Sequence, residues 1–153
     1  MVYDWKIVAV GEMRSPALKE VAGEYEKRLK PFARLRITEV KPVPFGITDK
    51  ERAKNKEVEK LSEVLEKEEK NKIFLLDADG EKLNSEKFAE LVEKNQGLVL
   101  VVGGALGFSE DFKKKYKRIS LSSLTMPHEL ARVVLLEQLY RAAAKLRGKI
   151  YDY

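Results

Sequence analysis

The sequence predicts an α/β fold with a mostly parallel sheet flanked by helices, and three observations carry that prediction. Strand-like and helix-like segments alternate, several strand segments are apolar throughout, and the longest helical segment is apolar around more than one face. Parallel strands covered on both faces need apolar residues at every position, whereas a half-wet strand alternates. The 153 residues suit one domain, taken as 1–153, with chain enough for a substantial core.

Trp5 to Val10 is a short apolar run ending at Gly11, and its length and punctuation make it a buried strand. Ser15 and Pro16 open a helix, because serine caps well and a proline in the first turn lacks only an N–H that has no intrahelical partner. Leu18, Val21, Ala22, Tyr25 and Leu29 recur at helical spacing, opposite Lys19, Glu20, Glu24, Glu26, Lys27 and Arg28. Leu35 to Val40 alternates and reads as a second strand with one wetter side. Lys41 to Ile47, KPVPFGI, holds two prolines and a glycine and is a loop whose role cannot be read directly. Thr48 and Glu51 form a capping box for a highly charged helix to about Glu69, with a thin stripe of Ala53, Val58, Leu61, Val64 and Leu65. Such a helix is expected in the solvated outer layer.

Ile73 to Leu76 is a strand that runs into a turn at Asp77, Ala78, Asp79 and Gly80. Ser85 caps a helix bearing Phe88, Ala89, Leu91 and Val92, and Gly97 ends the segment behind it. Leu98 to Val102 is the strongest buried-strand signal, followed at once by a glycine turn from Gly103 to Gly107. From Ile119 a segment of small, polar and apolar residues leads into a final helix reaching Arg147. Pro127 is expected in its first turn, with Thr125 as the cap. Gly148 ends that helix and leaves a tail of Lys149, Ile150, Tyr151, Asp152 and Tyr153.

Composition removes several chemistries. There is no cysteine, which excludes disulfides, thiolate metal sites and cysteine nucleophiles. His128 is the only histidine, so a metal would need an all-oxygen shell. The apolar run after Lys6 is too short for a membrane span, and the chain reads as cytoplasmic. The net charge of +5 suggests a polyanionic partner without requiring one. Its densest cationic cluster is Lys113, Lys114, Lys115, Lys117 and Arg118 around Tyr116, which suits phosphate contact or, more plainly, a solvated helix face.

Ligands of parallel sheets bind beyond the carboxyl ends of strands, and three such ends stand out. These are Leu76 with Asp77, the glycine turn, and the junction from Leu121 to Met126. The glycine turn lacks both the dinucleotide GxGxxG and the P-loop spacing, so on its own it is a tight turn before it is a cradle. His128 beside Glu129 and Arg132 suggests acid and base work, although a histidine in a first helical turn more often packs or hydrogen-bonds. The last helix must be buried on two sides, and a subunit interface would supply the second, so a homodimer is expected.

Taken together, LLDADG, LVLVVGGALGFS and ISLSSLTMPHELARVVLLEQLYRA, with the tyrosine-bearing tail, resemble the RlmH family. These are small SPOUT-class methyltransferases acting on N3 of a pseudouridine in 23S ribosomal RNA. The resemblance covers the whole chain, with its specific motifs from Leu76 onward. It implies a C-terminal trefoil knot, one of the rare exceptions to unknotted chains. It implies S-adenosylmethionine at positions matching Leu76, Gly103, Leu121, Ser122, Ser123, Leu124, Thr125 and Met126. It further implies a homodimer with a composite site, 23S ribosomal RNA or the assembled ribosome as partner, and neither metal nor membrane. Glu137, Arg141 and Tyr151 become the catalytic candidates, Glu137 and Tyr151 for orienting the acceptor and Arg141 for base or phosphate contact. Lys113, Lys114, Lys115 and Arg132 become the RNA-binding candidates. The tail departs from the family pattern, since relatives carry Tyr-His where Tyr151 is here followed by Asp152. A non-catalytic RNA-binding or ribosome-associated dimer that keeps the knot is the alternative, and a nucleotide-sensing dimer is a weaker third.

Overall fold

In a computed structural model that describes residues 2–149, β1 (Tyr3–Val10), β2 (Ala33–Val40), β3 (Ile73–Lys82), β4 (Leu98–Val102) and β5 (Lys117–Ser120) form one sheet. The order is β2-β1-β4-β3-β5, and every pairing is parallel. Helices α1 (Pro16–Leu29), α2 (Lys50–Leu65), α3 (Ser85–Lys94), α4 (Glu110–Lys115) and α5 (His128–Leu146) cover both faces.

Successive side chains of a strand point to opposite faces, and here both faces are apolar. Trp5, Ile7 and Ala9 of β1 pack with α1, α3 and α5, while Val8 and Val10 pack with α2 and α4. Central β4 divides likewise, with Leu98, Leu100 and Val102 on one side and Val99 and Val101 on the other. All five of its residues are buried, as the uninterrupted apolar run requires. Edge strand β2 has only one well-covered face and keeps Arg34, Arg36 and Glu39 among its mixed residues.

Much of the apolar circumference of α5 is covered inside the chain, while Leu130 stays 38% exposed and Val133, Val134 and Tyr140 are only half-buried. Leu135, Leu136, Leu139, Ala142 and Ala143 join the core shared with α1, α3 and the sheet. Leu130, Val133 and Val134, left partly open, keep the face on which a second copy is expected.

Several element ends differ from the sequence reading. Asn84, not Ser85, caps α3, its Oδ1 accepting from Lys87 N at 2.8 Å. Asp49 is the cap residue of α2, but its carboxylate accepts from Gly46 N instead, so the Thr48–Glu51 capping box does not form. Helix α2 stops at Leu65, and a short 3-10 turn, Lys70–Lys72, leads into β3. Pro127 precedes the first turn of α5 as its cap residue, and no side chain caps that end, so Thr125 does not serve there. Gly148 sits at φ 72, where its amide and that of Lys149 close the helix onto Lys145 O and Ala144 O at 3.0 and 2.8 Å. The turn expected after Leu76 is an irregularity within β3, because Leu76 and Glu81 both pair with Ile119. Ser109-capped α4 and edge strand β5 were not legible as separate elements. Among the described residues no helix is long and apolar enough to cross a membrane.

Candidate functional site

Because β4, β3 and β5 are neighbours and parallel, the segments leaving their carboxyl ends meet on one side of the sheet. They enclose a cleft of about 650 Å3, within the roughly 300–1,000 Å3 of small-molecule sites. Leu76, Gly103, Leu121, Ser122, Leu124, Thr125 and Met126 all line it, and Ser123 alone of the predicted cofactor positions does not. Asp77, placed with Leu76 at this strand end by the sequence, lines it too, whereas Phe108, Lys113 and His128 were not assigned to it. Phe108 follows the glycine turn, so adjacency carried a signal for it; nothing marked Lys113 apart from its neighbours.

The glycine turn has little room for side chains at its first two positions. A Cβ on Gly103 would stand 3.2 Å from two ring carbons of Phe108, and one on Gly104 would stand 2.9 Å from Val10 Cγ1. Gly107 adopts φ +71 and donates its amide to Gly104 O at 3.1 Å, folding the turn back on itself. A ligand therefore meets bare backbone here. In the opposite wall, Ser120 Oγ donates to Ser122 O at 2.8 Å, and Ser122 Oγ accepts from Leu124 N at 3.0 Å. The serine hydroxyls thus shape the loop, a local use common for this residue type. Leu124 is left 76% exposed beside the cleft.

Asp77 carries the main charge in the lining. One oxygen accepts from Arg118 Nη1 at 2.9 Å and stands 3.6 Å from Lys113 Nζ; the other accepts from Asp79 N at 3.1 Å. Burial opposes ionisation, but the Arg118 hydrogen bond, the Asp79 amide and the two cations outweigh it and hold the pKa below the usual carboxylate value. The folded value lies below the unfolded one of about 3.9, so Asp77 stabilises the fold above about pH 4, and that stability is lost as pH falls through the folded value. In Asp77→Asn we expect a shallower acid loss of stability, measured by urea unfolding at neutral and acid pH. An acid loss equal to the wild type's would remove Asp77 as its source.

Lys113 is thereby corrected: it is turned in towards Asp77 and Glu110, each 3.6 Å away, with a side chain only 19% exposed. Lys114 and Lys115 remain exposed. Arg132 is also corrected. It is 6% exposed, and Nη1 donates to Glu39 Oε2 at 2.6 Å and to Gly11 O at 3.3 Å, joining α5 to the ends of β1 and β2 rather than facing RNA. Glu39→Gln should lower stability by about 1–3 kcal/mol by leaving this buried cation poorly paired. Urea denaturation checks it, and an unchanged midpoint would mean Arg132 finds water instead.

Glu129 accepts from Ser15 N at 2.9 Å and Arg14 N at 2.8 Å, and these amides, that of Ser15 foremost, lower its pKa. It ties the start of α5 to the start of α1 and is not poised as a base for His128. Glu137 and Arg141 bond to each other, Arg141 Nη2 to Glu137 Oε2 at 2.9 Å, and neither lines the cleft of its own chain. Tyr151, with Asp152, lies outside the described residues.

A parallel sheet with a partly backbone-lined cleft at its strand ends defines an α/β protein with a cleft of small-molecule size. A family model described as "Predicted SPOUT methyltransferase" matches residues 3–152. A protein named "Ribosomal RNA large subunit methyltransferase H" from Thermodesulfovibrio yellowstonii is 38% identical, over 99% of this chain and 100% of that one. A protein of the same name from Kosmotoga olearia is 36% identical, over 97% and 98%. The chain belongs to the SPOUT methyltransferase family, in its ribosomal RNA large subunit methyltransferase H group. The crystal structure of tRNA (m1G37) methyltransferase from Aquifex aeolicus shares the fold, with a TM-score of 0.56 at 15% identity over 100% of this chain and 75% of that one.

Proposed function

We propose that this chain transfers a methyl group from S-adenosylmethionine to N3 of a pseudouridine in 23S ribosomal RNA, in the cytoplasm and as a homodimer. The observation that carries the reading is the convergence of seven of the eight predicted cofactor positions on one cleft. Its features fit the cofactor: glycine backbone on one wall and apolar side chains with a preset serine loop on the other. When bound, the cofactor supplies a sulfonium-activated methyl group. Leu76, Gly103 and the segment from Leu121 to Met126 would hold it, with Leu121, Leu124 and Met126 excluding water around it.

The chain's remaining task is positioning, which is worth much of the barrier when reacting atoms are held in line. The acceptor nitrogen must also lose its proton. Glu137 and Tyr151 are proposed to orient the acceptor and Arg141 to contact the base or a phosphate. Glu137 and Arg141 stand outside their own chain's cleft, so in this reading they serve the cleft of a second copy. Lys114 and Lys115 contact phosphates, and the segment from β5 into α5 closes the family's trefoil knot.

The test is transfer of labelled methyl to large-subunit particles, complete ribosomes and free ribosomal RNA, followed by mapping of the modified base. Label at N3 of one pseudouridine is the expected result, with a reduced rate in Tyr151→Phe. No transfer to any acceptor, with no heat of S-adenosylmethionine binding in calorimetry, would overturn it and leave the non-catalytic RNA-binding reading.

A further inference from the structure

The KPVPFGI loop between β2 and α2 has no part in the cleft, yet it is firmly braced. Val43 N donates to Glu57 Oε2 at 2.8 Å, Gly46 N to Asp49 Oδ1 at 2.5 Å, and Lys60 Nζ to Lys41 O at 3.1 Å. Glu57 is 3% exposed, and its Oε1, without a hydrogen-bond partner among the described residues, lies 3.5 Å from where a Cβ on Gly104 would stand. One buried carboxylate therefore braces the base of the loop and stands beside the glycine turn of the cleft. Pro42 and Pro44 restrict the chain further.

On this fixed loop Phe45 is 43% and Ile47 is 91% exposed. Apolar side chains held in water gain nothing from the fold. Just beyond them Lys50, Arg52 and Lys56 are exposed, and none has a carboxylate partner among the described residues, since nearby Glu51 pairs with Lys54 at 3.2 Å. Arg52 and Lys56, four residues apart, share a helix face. Two apolar side chains are too small a patch for a stable protein interface. An exposed ring flanked by unpaired cations matches single-stranded nucleic acid, where bases stack on aromatics and phosphates meet cations.

We propose that this loop docks an unpaired stretch of RNA, Phe45 and Ile47 receiving an unstacked base and Lys50, Arg52 and Lys56 the flanking phosphates. The assignment rests on the reading of the substrate as RNA and adds a second contact to it. Strands β2 and β5 are the two edges of the sheet, so this loop lies at the edge remote from β5 and from the α4 lysines before it.

The test compares Phe45→Ala/Ile47→Ser and Arg52→Glu/Lys56→Glu with the wild type on a deproteinised ribosomal RNA hairpin and on a fully paired duplex of equal length. The apolar variant is expected to lose about tenfold on the hairpin and little on the duplex. The charge variant loses affinity for both and shows a flatter salt dependence. S-adenosylmethionine affinity and sedimentation mass should stay at wild-type values. Wild-type binding that both variants match would overturn the loop assignment alone, as would a changed mass, which would make the patch a contact between copies. Normal binding to bare RNA with weakened binding to ribosomal particles would assign the loop to a protein partner and overturn it too. Where the wild type binds neither bare RNA, the same comparison is made on complete ribosomes: variants that match the wild type there overturn the assignment, and no wild-type binding there overturns the RNA reading with it.

Discussion

Gly80→Ala is expected to lower stability by about 2–3 kcal/mol through overpacking. For a chain of this size that is a fall in melting temperature of about 4–12 °C. Gly80 lies in the irregular stretch of β3 between its two pairings with Ile119. A Cβ there would stand 2.8 Å from the carbonyl carbon of Arg118, 2.9 Å from Ile119 N and 3.0 Å from Arg118 Cβ. Two of those three atoms are backbone, so no side-chain rotation clears the clash and β5 itself must withdraw. That strand carries Arg118, the partner of Asp77, and Ser120, which shapes the loop from Leu121 to Met126. The substitution should therefore weaken S-adenosylmethionine binding along with the fold. Thermal melts followed by circular dichroism check the first part and calorimetry the second. A melt within about 1 °C of wild type would show that β5 yields without cost.

The same stretch shows where sequence reasoning stops. Strand β4 was legible because five apolar residues in a row are what a parallel strand covered on both faces requires. The strand ends were legible as well, since a parallel sheet sends its ligands there whatever the ligand is. The path between Asp77 and Gly80 was not, because it depends on β5 lying beside β3, a pairing across about forty residues that no local pattern encodes. Strand β5 itself is four residues long and half charged, so only its neighbour identifies it.

Charged side chains were the least legible part. Lys113, Lys114 and Lys115 look alike in sequence, yet Lys113 faces Asp77 and Glu110 while the other two face water. Arg132 reads as a surface cation one residue after Ala131, but its helix face turns it into the gap above Gly11 and Glu39. Helix α5 divides in the same way. Apolar residues around a helix announce that it is covered; α1, α3 and the sheet cover much of α5, while Leu130, Val133 and Val134 stay partly open.

Gly104→Ala is expected to reduce S-adenosylmethionine affinity at least about tenfold, which is about 1.4 kcal/mol. Gly104 is not in the left-handed region, so alanine is conformationally allowed and the penalty is one of space. The added Cβ would stand 2.9 Å from Val10 Cγ1 and 3.3 Å from Val10 Cβ, with Glu57 Oε1 at 3.5 Å. Val10 is 3% exposed and, being β-branched, stiff about its first torsion, so it cannot turn away. The glycine turn must move instead, away from β1 and towards the ligand. If so, Val10→Ala in the same chain removes the obstruction. The double variant should regain most of the affinity while losing about 1–3 kcal/mol of stability for the deleted core methyls. Affinity and stability would then move in opposite directions, which a general loosening of the fold could not produce. Calorimetry with urea denaturation on both single variants and the double closes the cycle. A double variant that binds as weakly as Gly104→Ala would show that Val10 is not what keeps this position a glycine.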